Sequence, residues 1–328
     1  MIATDSASDT RACAARDWAI AQLRIHVPAF APASADASFR RYFRISEGQR
    51  SWVVMDAPTQ QEDCRPFLHV AGLLRDAGLN APEILAQDLG RGFLLLSDLG
   101  TQTYLNVIND ANADELFDQA IGALVRWQQA SRPDELPPYD EALLRRELAL
   151  FPDWYVRRHL QCATSPLQAK LLHEAEDLLV RRALAQSRVY VHRDYMPRNL
   201  MISTPNPGIL DFQDAVYGPI SYDVVSLFKD AFLSWPEARV QGWARQYWER
   251  ARAAGLPVPA ELSVFMHDFD FMGVQRHLKV LGIFARINYR DGKPQYLKDT
   301  PRFVRYVREV ATRYPELDSL LRLFDELG

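Results

Sequence analysis

Cysteine is scarce in this chain: Cys13, Cys64 and Cys162 are the only three in 328 residues, with no Cys-x-x-Cys or Cys/His spacing. That excludes a disulfide framework and a thiolate zinc site, and it fits free thiols in a reducing compartment. No apolar run approaches the roughly 18 residues of a membrane span. The polar residues 1–10 read as a frayed tail without the basic-then-apolar pattern of a leader, so a cytoplasmic protein is expected. Basic charge is not in excess either. Lys and Arg number 38 against 42 Asp and Glu, a net −4, which argues against nucleic acid as a partner. Neither a membrane nor an obligatory protein partner is indicated. What remains is ordinary globular composition, 48% hydrophobic and 24% charged, long enough for one large two-lobed unit or two domains.

Periodicity divides the chain unevenly. Residues 11–27 suit a short helix. RYFRIS (41–46) and SWVVMDA (51–57) flank the turn 47–50 and read as a hairpin. Phe67, Val70, Ala71 and Leu74 recur at helical spacing behind Pro66 and stop at Gly78. Two more strands are expected at 83–88 and 92–97. Beyond Gly100 the pattern is helical, over 112–130, 140–150, 165–186, 220–232, 236–254, 261–289, 301–313 and 316–327. Ser165 followed by Pro166 opens one of these. Short strands at 189–192, 200–203 and 208–212 interrupt the run. The expected class is α+β: a small antiparallel-sheet lobe at 1–98 and a larger, mainly helical lobe at 99–328, with a ligand in the cleft between them.

The chemistry-bearing pattern is His192-Arg193-Asp194-Tyr195-Met196-Pro197-Arg198-Asn199. It fits H-x-D-x-x-x-x-N, the catalytic-loop pattern of protein kinases. An Asp on a tight loop can accept the proton of an incoming hydroxyl, and an Asn five residues on can reach a metal on the nucleotide. Twelve residues later comes Asp211-Phe212-Gln213-Asp214, after a stretch that reads strand, turn, strand. Such a hairpin would return Asp211 to Asn199, so that a carboxylate and an amide could share Mg²⁺. A lone Asp is more often a turn or cap residue; the ordered set argues for phosphoryl transfer.

The run VHRDYMPRNLMI…GILDFQDAVYGPISYDVVSL resembles the aminoglycoside phosphotransferase/choline kinase-like family, and LLRDAGLNAPEILAQD (73–88) and FLLLSDLG (93–100) suit it too. The resemblance implies a protein-kinase-like two-lobed fold, ATP and Mg²⁺ as cofactors, Asp194 as catalytic base, and Asn199 and Asp211 as metal ligands. It also implies that Asp223 braces the catalytic loop, that His192 is mostly structural, and that backbone near Leu96 to Asp98 holds adenine.

Two departures stand out. The nucleotide-loop position, 34–41, contains no glycine, although small residues including Ser38 could let the backbone approach phosphate. Val53-Val54-Met55-Asp56 falls where kinases carry Val-Ala-Ile-Lys. By strand alternation Val54 and Asp56 are expected to face the cleft, Val54 roofing adenine. A carboxylate there needs a compensating cation. Arg40, Arg41, Arg44 and Arg65 are candidates, Arg40 or Arg41 first, because an arginine fork suits phosphate.

Longer segments at 35–45, 53–67, 96–109, 144–160 and 273–303 resemble the anomeric amino-sugar kinases of that family. This implies phosphorylation of the C1 hydroxyl of N-acetylmuramate and N-acetylglucosamine in peptidoglycan recycling. Arg276, Lys279 and Arg286 fall within one helical face and would suit a lactyl carboxylate. Gln275 and His277 could serve sugar hydroxyls, and Glu147, Trp154 and Tyr155 could shape the opposite wall. Arg198 and Asp214 are further candidates for substrate contact. The bland alternative for these residues of the 261–289 helix is a solvated basic face. Another sugar, an aminoglycoside or a choline-like acceptor is the competing substrate, and a nucleotide-binding pseudokinase the competing class.

Overall fold

The structure is a computed structural model describing residues 9–26, 28–34 and 39–327. In chain order it opens with α1 (Thr10–Leu23), β1 (Ala29–Ser34), β2 (Arg41–Glu47), β3 (Arg50–Asp56), α2 (Arg65–Asp76), β4 (Ile84–Asp88), β5 (Phe93–Ser97) and α3 (Tyr104–Val107). There follow α4 (Ala113–Gln129), α5 (Glu141–Leu148), a π-helix (Phe151–His159), α6 (Pro166–Ala185) and β6 (Arg188–Val191). Next come the small strands β7 (Leu200–Met201), β8 (Gly208–Ile209) and β9 (Val216–Pro219), then α7 (Tyr222–Phe228), α8 (Glu237–Ala253), α9 (Leu262–Asp291), α10 (Thr300–Arg313) and α11 (Asp318–Leu327). None of the described helices is long and apolar enough to cross a membrane.

The chain forms two compact units: Met1–Val107 with Asn199–Asp214, and Ile108–Arg198 with Ala215–Gly328. A single cut after residue 98 does not describe this division, because the segment 199–214 packs with the first unit. Ile202 N–H donates to Gln102 O at 2.9 Å, and Asn206 Nδ2 donates to Tyr104 Oη at 2.8 Å.

In the first unit a five-stranded antiparallel sheet runs in the order β1-β2-β3-β5-β4. The β2–β3 turn is tight because Gly48 takes φ 61°. Helix α1 lies on one face of the sheet. Its small residues Ala12, Ala15 and Ala19 and the ring of Trp18 pack with Phe43, Ile45, Val54, Phe93 and Leu95. Asp9 caps it, accepting from the Arg11 and Ala12 N–H groups.

The second unit is helical around α9, whose residues 269–282 are buried almost without interruption. Gly282 permits the approach of the segment before the π-helix, since a Cβ there would lie 2.3 Å from the Leu150 carbonyl carbon. At α6 the expected start is a full capping box between Ser165 and Gln168. Strand β6 pairs with β9, which sets the entrance of the loop that begins at His192.

Candidate active site

The segment after Asn199 folds as expected. Strands β7 and β8 pair, and Leu210 N–H donates to Asn199 O at 2.9 Å. This brings the two side chains together: Asn199 Nδ2 lies 3.3 Å from Asp211 Oδ2. Gln213 Nε2 donates to the other oxygen, Asp211 Oδ1, at 2.9 Å, a contact that the sequence did not single out. Phe212 points inward against Phe67 of α2, ring centroids 4.7 Å apart. Asp211 itself takes φ 61°, a left-handed conformation that costs of order 1–3 kcal/mol at a non-glycine residue and collects at functional sites. Among the described residues no cluster of three or more His, Cys, Asp or Glu is assembled for a metal. One carboxylate and one amide suit Mg²⁺ instead, an ion that takes few protein oxygens and fills its shell with phosphate and water. Asp214 is exposed.

In the second unit the loop that begins at His192 is held by its backbone. Buried Asp223, near the start of α7, accepts from His192 N–H at 2.7 Å and from Arg193 N–H at 3.0 Å. Burial pushes its carboxyl up to about 7, against the pull of those two donors and of Arg276. His192 is buried, and its Nδ1 accepts from Asp194 N–H at 3.3 Å. Arg193, immediately before Asp194, takes φ 75°.

The residues expected to line a substrate wall are gathered here, but as an interior network. Glu147 side chain is 5% exposed and binds Arg193 Nη2 at 2.6 Å and Lys279 Nζ at 2.7 Å. Tyr139 Oη and Gln275 Nε2 donate to its other oxygen. Burial raises its pKa, yet the charges of Lys279 and Arg193 prevail and bring it down to about 2. Lys279 also donates to Tyr222 Oη at 2.9 Å, and Arg276 Nη2 donates to Ser226 Oγ at 2.6 Å. His277 is buried beside Tyr306 and Phe303, where burial and the charges of Lys229 and Arg276 hold its pKa well below the ordinary value. Arg276, His277 and Lys279 therefore form neither an open substrate wall nor a solvated basic face. The reason is that α9 is the central helix of its unit, so polar groups on it are enclosed and must find partners. Arg198 stacks over Phe232 at 5.1 Å.

The sheet brings a correction. Val54 and Asp56 do not stand on an open face of the sheet; they lie under α1. Val54 belongs to the cluster with Ala12, Ala15 and Trp18, and Asp56 is wholly buried. Arg11 of α1 donates to Asp56 Oδ1 at 2.6 Å, while Arg41 donates to Oδ2 from Nε at 3.1 Å and Nη2 at 2.5 Å. The cation that Asp56 requires is thus supplied by Arg11 and Arg41 together, and Arg41 also binds Asp9. The physical cause is strand parity, since a one-residue offset turns every side chain over. Val53 and Met55 occupy the other face, and Leu96, paired with Val53, shares it. Arg44 is spent on Asp98, Nε to Oδ2 at 2.6 Å, and Asp98 Oδ1 also accepts from Gly100 N–H. Arg65 pairs with Asp63 at the surface. Arg40 stands 3.8 Å from Glu62. Ser38 lies outside the described residues.

The chain is similar to known phosphotransferases. The sequence model of the phosphotransferase enzyme family matches residues 29–262. The chain is 60% identical over 296 residues to the N-acetylmuramate/N-acetylglucosamine kinase of Pseudomonas aeruginosa, covering 90% of this chain and 88% of that protein. It is 48% identical over 300 residues to the kinase of the same name from Neisseria meningitidis, covering 90% and 89%. Among solved structures, ADP-bound aminoglycoside phosphotransferase APH(2'')-Ib aligns with a TM-score of 0.62 at 12% identity, over 90% of this chain and 98% of that one. That likeness establishes the protein-kinase-like fold. With an antiparallel sheet, a helical unit, a braced His-Arg-Asp loop and an Asn–Asp pair, the chain belongs to the phosphotransferase enzyme family.

Proposed function

We propose that this phosphotransferase moves the γ-phosphoryl group of ATP to the anomeric hydroxyl of N-acetylmuramate and N-acetylglucosamine, in the cytoplasm, as a step of peptidoglycan recycling. The observation that carries the reading is 60% identity, along 90% of the chain, to a kinase named for those two sugars. Asp194 is the base in this reading. Its carboxylate orients the sugar hydroxyl and takes the proton late, as phosphorus–oxygen bond formation proceeds. An anomeric hydroxyl is more acidic than an ordinary alcohol, so it asks less of that base. Asn199 and Asp211 would hold Mg²⁺, which when bound neutralises charge building on the phosphate oxygens. Gln213 keeps the Asp211 carboxylate turned toward Asn199. His192 and Asp223 fix the backbone on which Asp194 rides.

For the nucleotide base, the sheet face bearing Val53 and Leu96 replaces the face first expected, with the backbone of Leu96 to Asp98 as hydrogen-bonding edge. Arg40, half-buried at the end of the loop, is the cation assigned to phosphate. Arg198 and exposed Asp214 are the side chains assigned to the sugar. Incubation with ATP and a panel of N-acetylmuramate, N-acetylglucosamine, other sugars, choline and an aminoglycoside, read by phosphorus NMR, decides the matter. An anomeric phosphate doublet coupled to the C1 proton is expected with the two amino sugars. Phosphate on any other hydroxyl, or no turnover with nucleotide still bound, would overturn the proposal.

A further inference from the structure

Glu147 was a candidate for touching substrate, but it has no acceptor capacity left to offer. An ionised carboxylate has about four lone-pair sites. Oε1 accepts from Arg193 at 2.6 Å and Lys279 at 2.7 Å; Oε2 accepts from Tyr139 and from Gln275 at 3.4 Å. All four partners belong to the same compact unit.

The same bonds close a ring around the catalytic loop. From the Arg193 side chain the path runs to Glu147, to Lys279, and to Tyr222 Oη at 2.9 Å. Tyr222 adjoins Asp223, whose Oδ1 accepts from Arg193 N–H at 3.0 Å. Arg193 is thus gripped twice, by its backbone and by its side chain, at a residue whose φ of 75° is disfavoured for anything but glycine. Its neighbour in the chain is Asp194. Tyr139, the donor to Glu147 Oε2, in turn lies against Gly218 of β9, where a Cβ would come within 2.6 Å of its own Cβ, so that strand fixes it from behind.

We infer that Glu147 is a positioning residue: through Arg193 it holds the catalytic loop in its left-handed turn and so aims the Asp194 carboxylate. It does not bind the sugar. The inference rests on Asp194 being the base.

The test compares Glu147→Gln, Arg193→Gly, the double variant and Asp194→Asn, with ATP and N-acetylglucosamine, for kcat and both KM values beside a thermal melt. Misplacing a reacting group by about an ångström costs on the order of a hundredfold. Each single ring variant is therefore expected to lose about 10- to 100-fold in kcat, with both KM values within about twofold of wild type. The double variant should be no worse than about threefold below the weaker single, because both changes cut one path. A raised sugar KM at wild-type kcat would make Glu147 a substrate contact, and losses that multiply would mean that it does not act through Arg193. Should Glu147→Gln fail to fold, Arg193→Gly still decides, since glycine adopts that φ without strain; wild-type kcat there sinks the inference. An active Asp194→Asn would instead sink the assignment of the base itself.

Discussion

Replacing Asp56 by Asn tests which side of the sheet is the interior and which meets ligand. The carboxylate takes one hydrogen bond from Arg11 and two from Arg41. The amide keeps one oxygen and turns a donor toward the other guanidinium, so one arginine loses its bonds. Charge-assisted bonds are worth about 1.5–3 kcal/mol each. Both arginines remain over a third exposed, at 35% and 37%, and Arg41 retains Asp9, so rehydration returns part of the loss. A net destabilisation of about 2 kcal/mol is expected. At a urea slope of about 2 kcal/mol per molar, the unfolding midpoint should fall by roughly 1 M, followed by tryptophan fluorescence because Trp18 sits in the same cluster. Affinity for ATP should stay within about twofold. Val53→Asp, three residues earlier and so on the opposite face, should reverse the pattern and cost ATP affinity about tenfold. An unchanged midpoint with weakened nucleotide binding in Asp56→Asn would refute the argument.

Three further outcomes are expected. Asp194→Asn should abolish turnover while ATP binds normally, whereas Asp211→Ala should weaken ATP binding only when Mg²⁺ is present; calorimetry with and without EDTA separates them. Because the folded Glu147 carboxyl titrates near 2 instead of 4.5, its contribution is complete above about pH 4.5 and is lost as pH falls toward 2. This amounts to roughly 3 kcal/mol, so urea midpoints measured from pH 6 to pH 3 should fall less steeply in Glu147→Gln than in wild type. Gly218→Ala must displace the Tyr139 side chain, whose Cβ would be 2.6 Å away. A loss of about 1–3 kcal/mol by denaturant titration is expected; none would show that β9 has room there.

The sequence made the local elements plain and hid the distant pairings. Ser165 and Pro166 announce α6, and Asn199 and Asp211 are joined by a twelve-residue span with recognisable turn chemistry, so both were legible. Strand β1 was not: Ala29–Ser34 carries three alanines and Pro32, poor strand formers tolerated here at an irregular edge. Strand β9 was hidden for another reason, because its partner β6 lies 28 residues earlier and four residues have no pattern of their own. The π-helix at Phe151–His159 follows α5 almost directly, and Pro152 reads as a helix stop. The parity of β3 could not be decided locally. Val53-Val54-Met55 is apolar on both faces, and only the presence of α1 assigns Val54 and Asp56 to the covered side. Likewise the two charged partners of Glu147 lie 46 and 132 residues away, and nothing beside it in the chain hints at them.

The family match begins at residue 29 and stops at 262, a span that invites trimming for expression. Cut there, the polypeptide would lose Arg11 and leave Phe43, Ile45 and Phe93 without their roof. It would lose Gln275 and Lys279 as well, so the acidic hub of α5 would keep only Arg193 and Tyr139 of its four partners. The outlying helices are thus structural members of both halves, and minimal versions of this enzyme should begin before Asp9 and retain α9 whole.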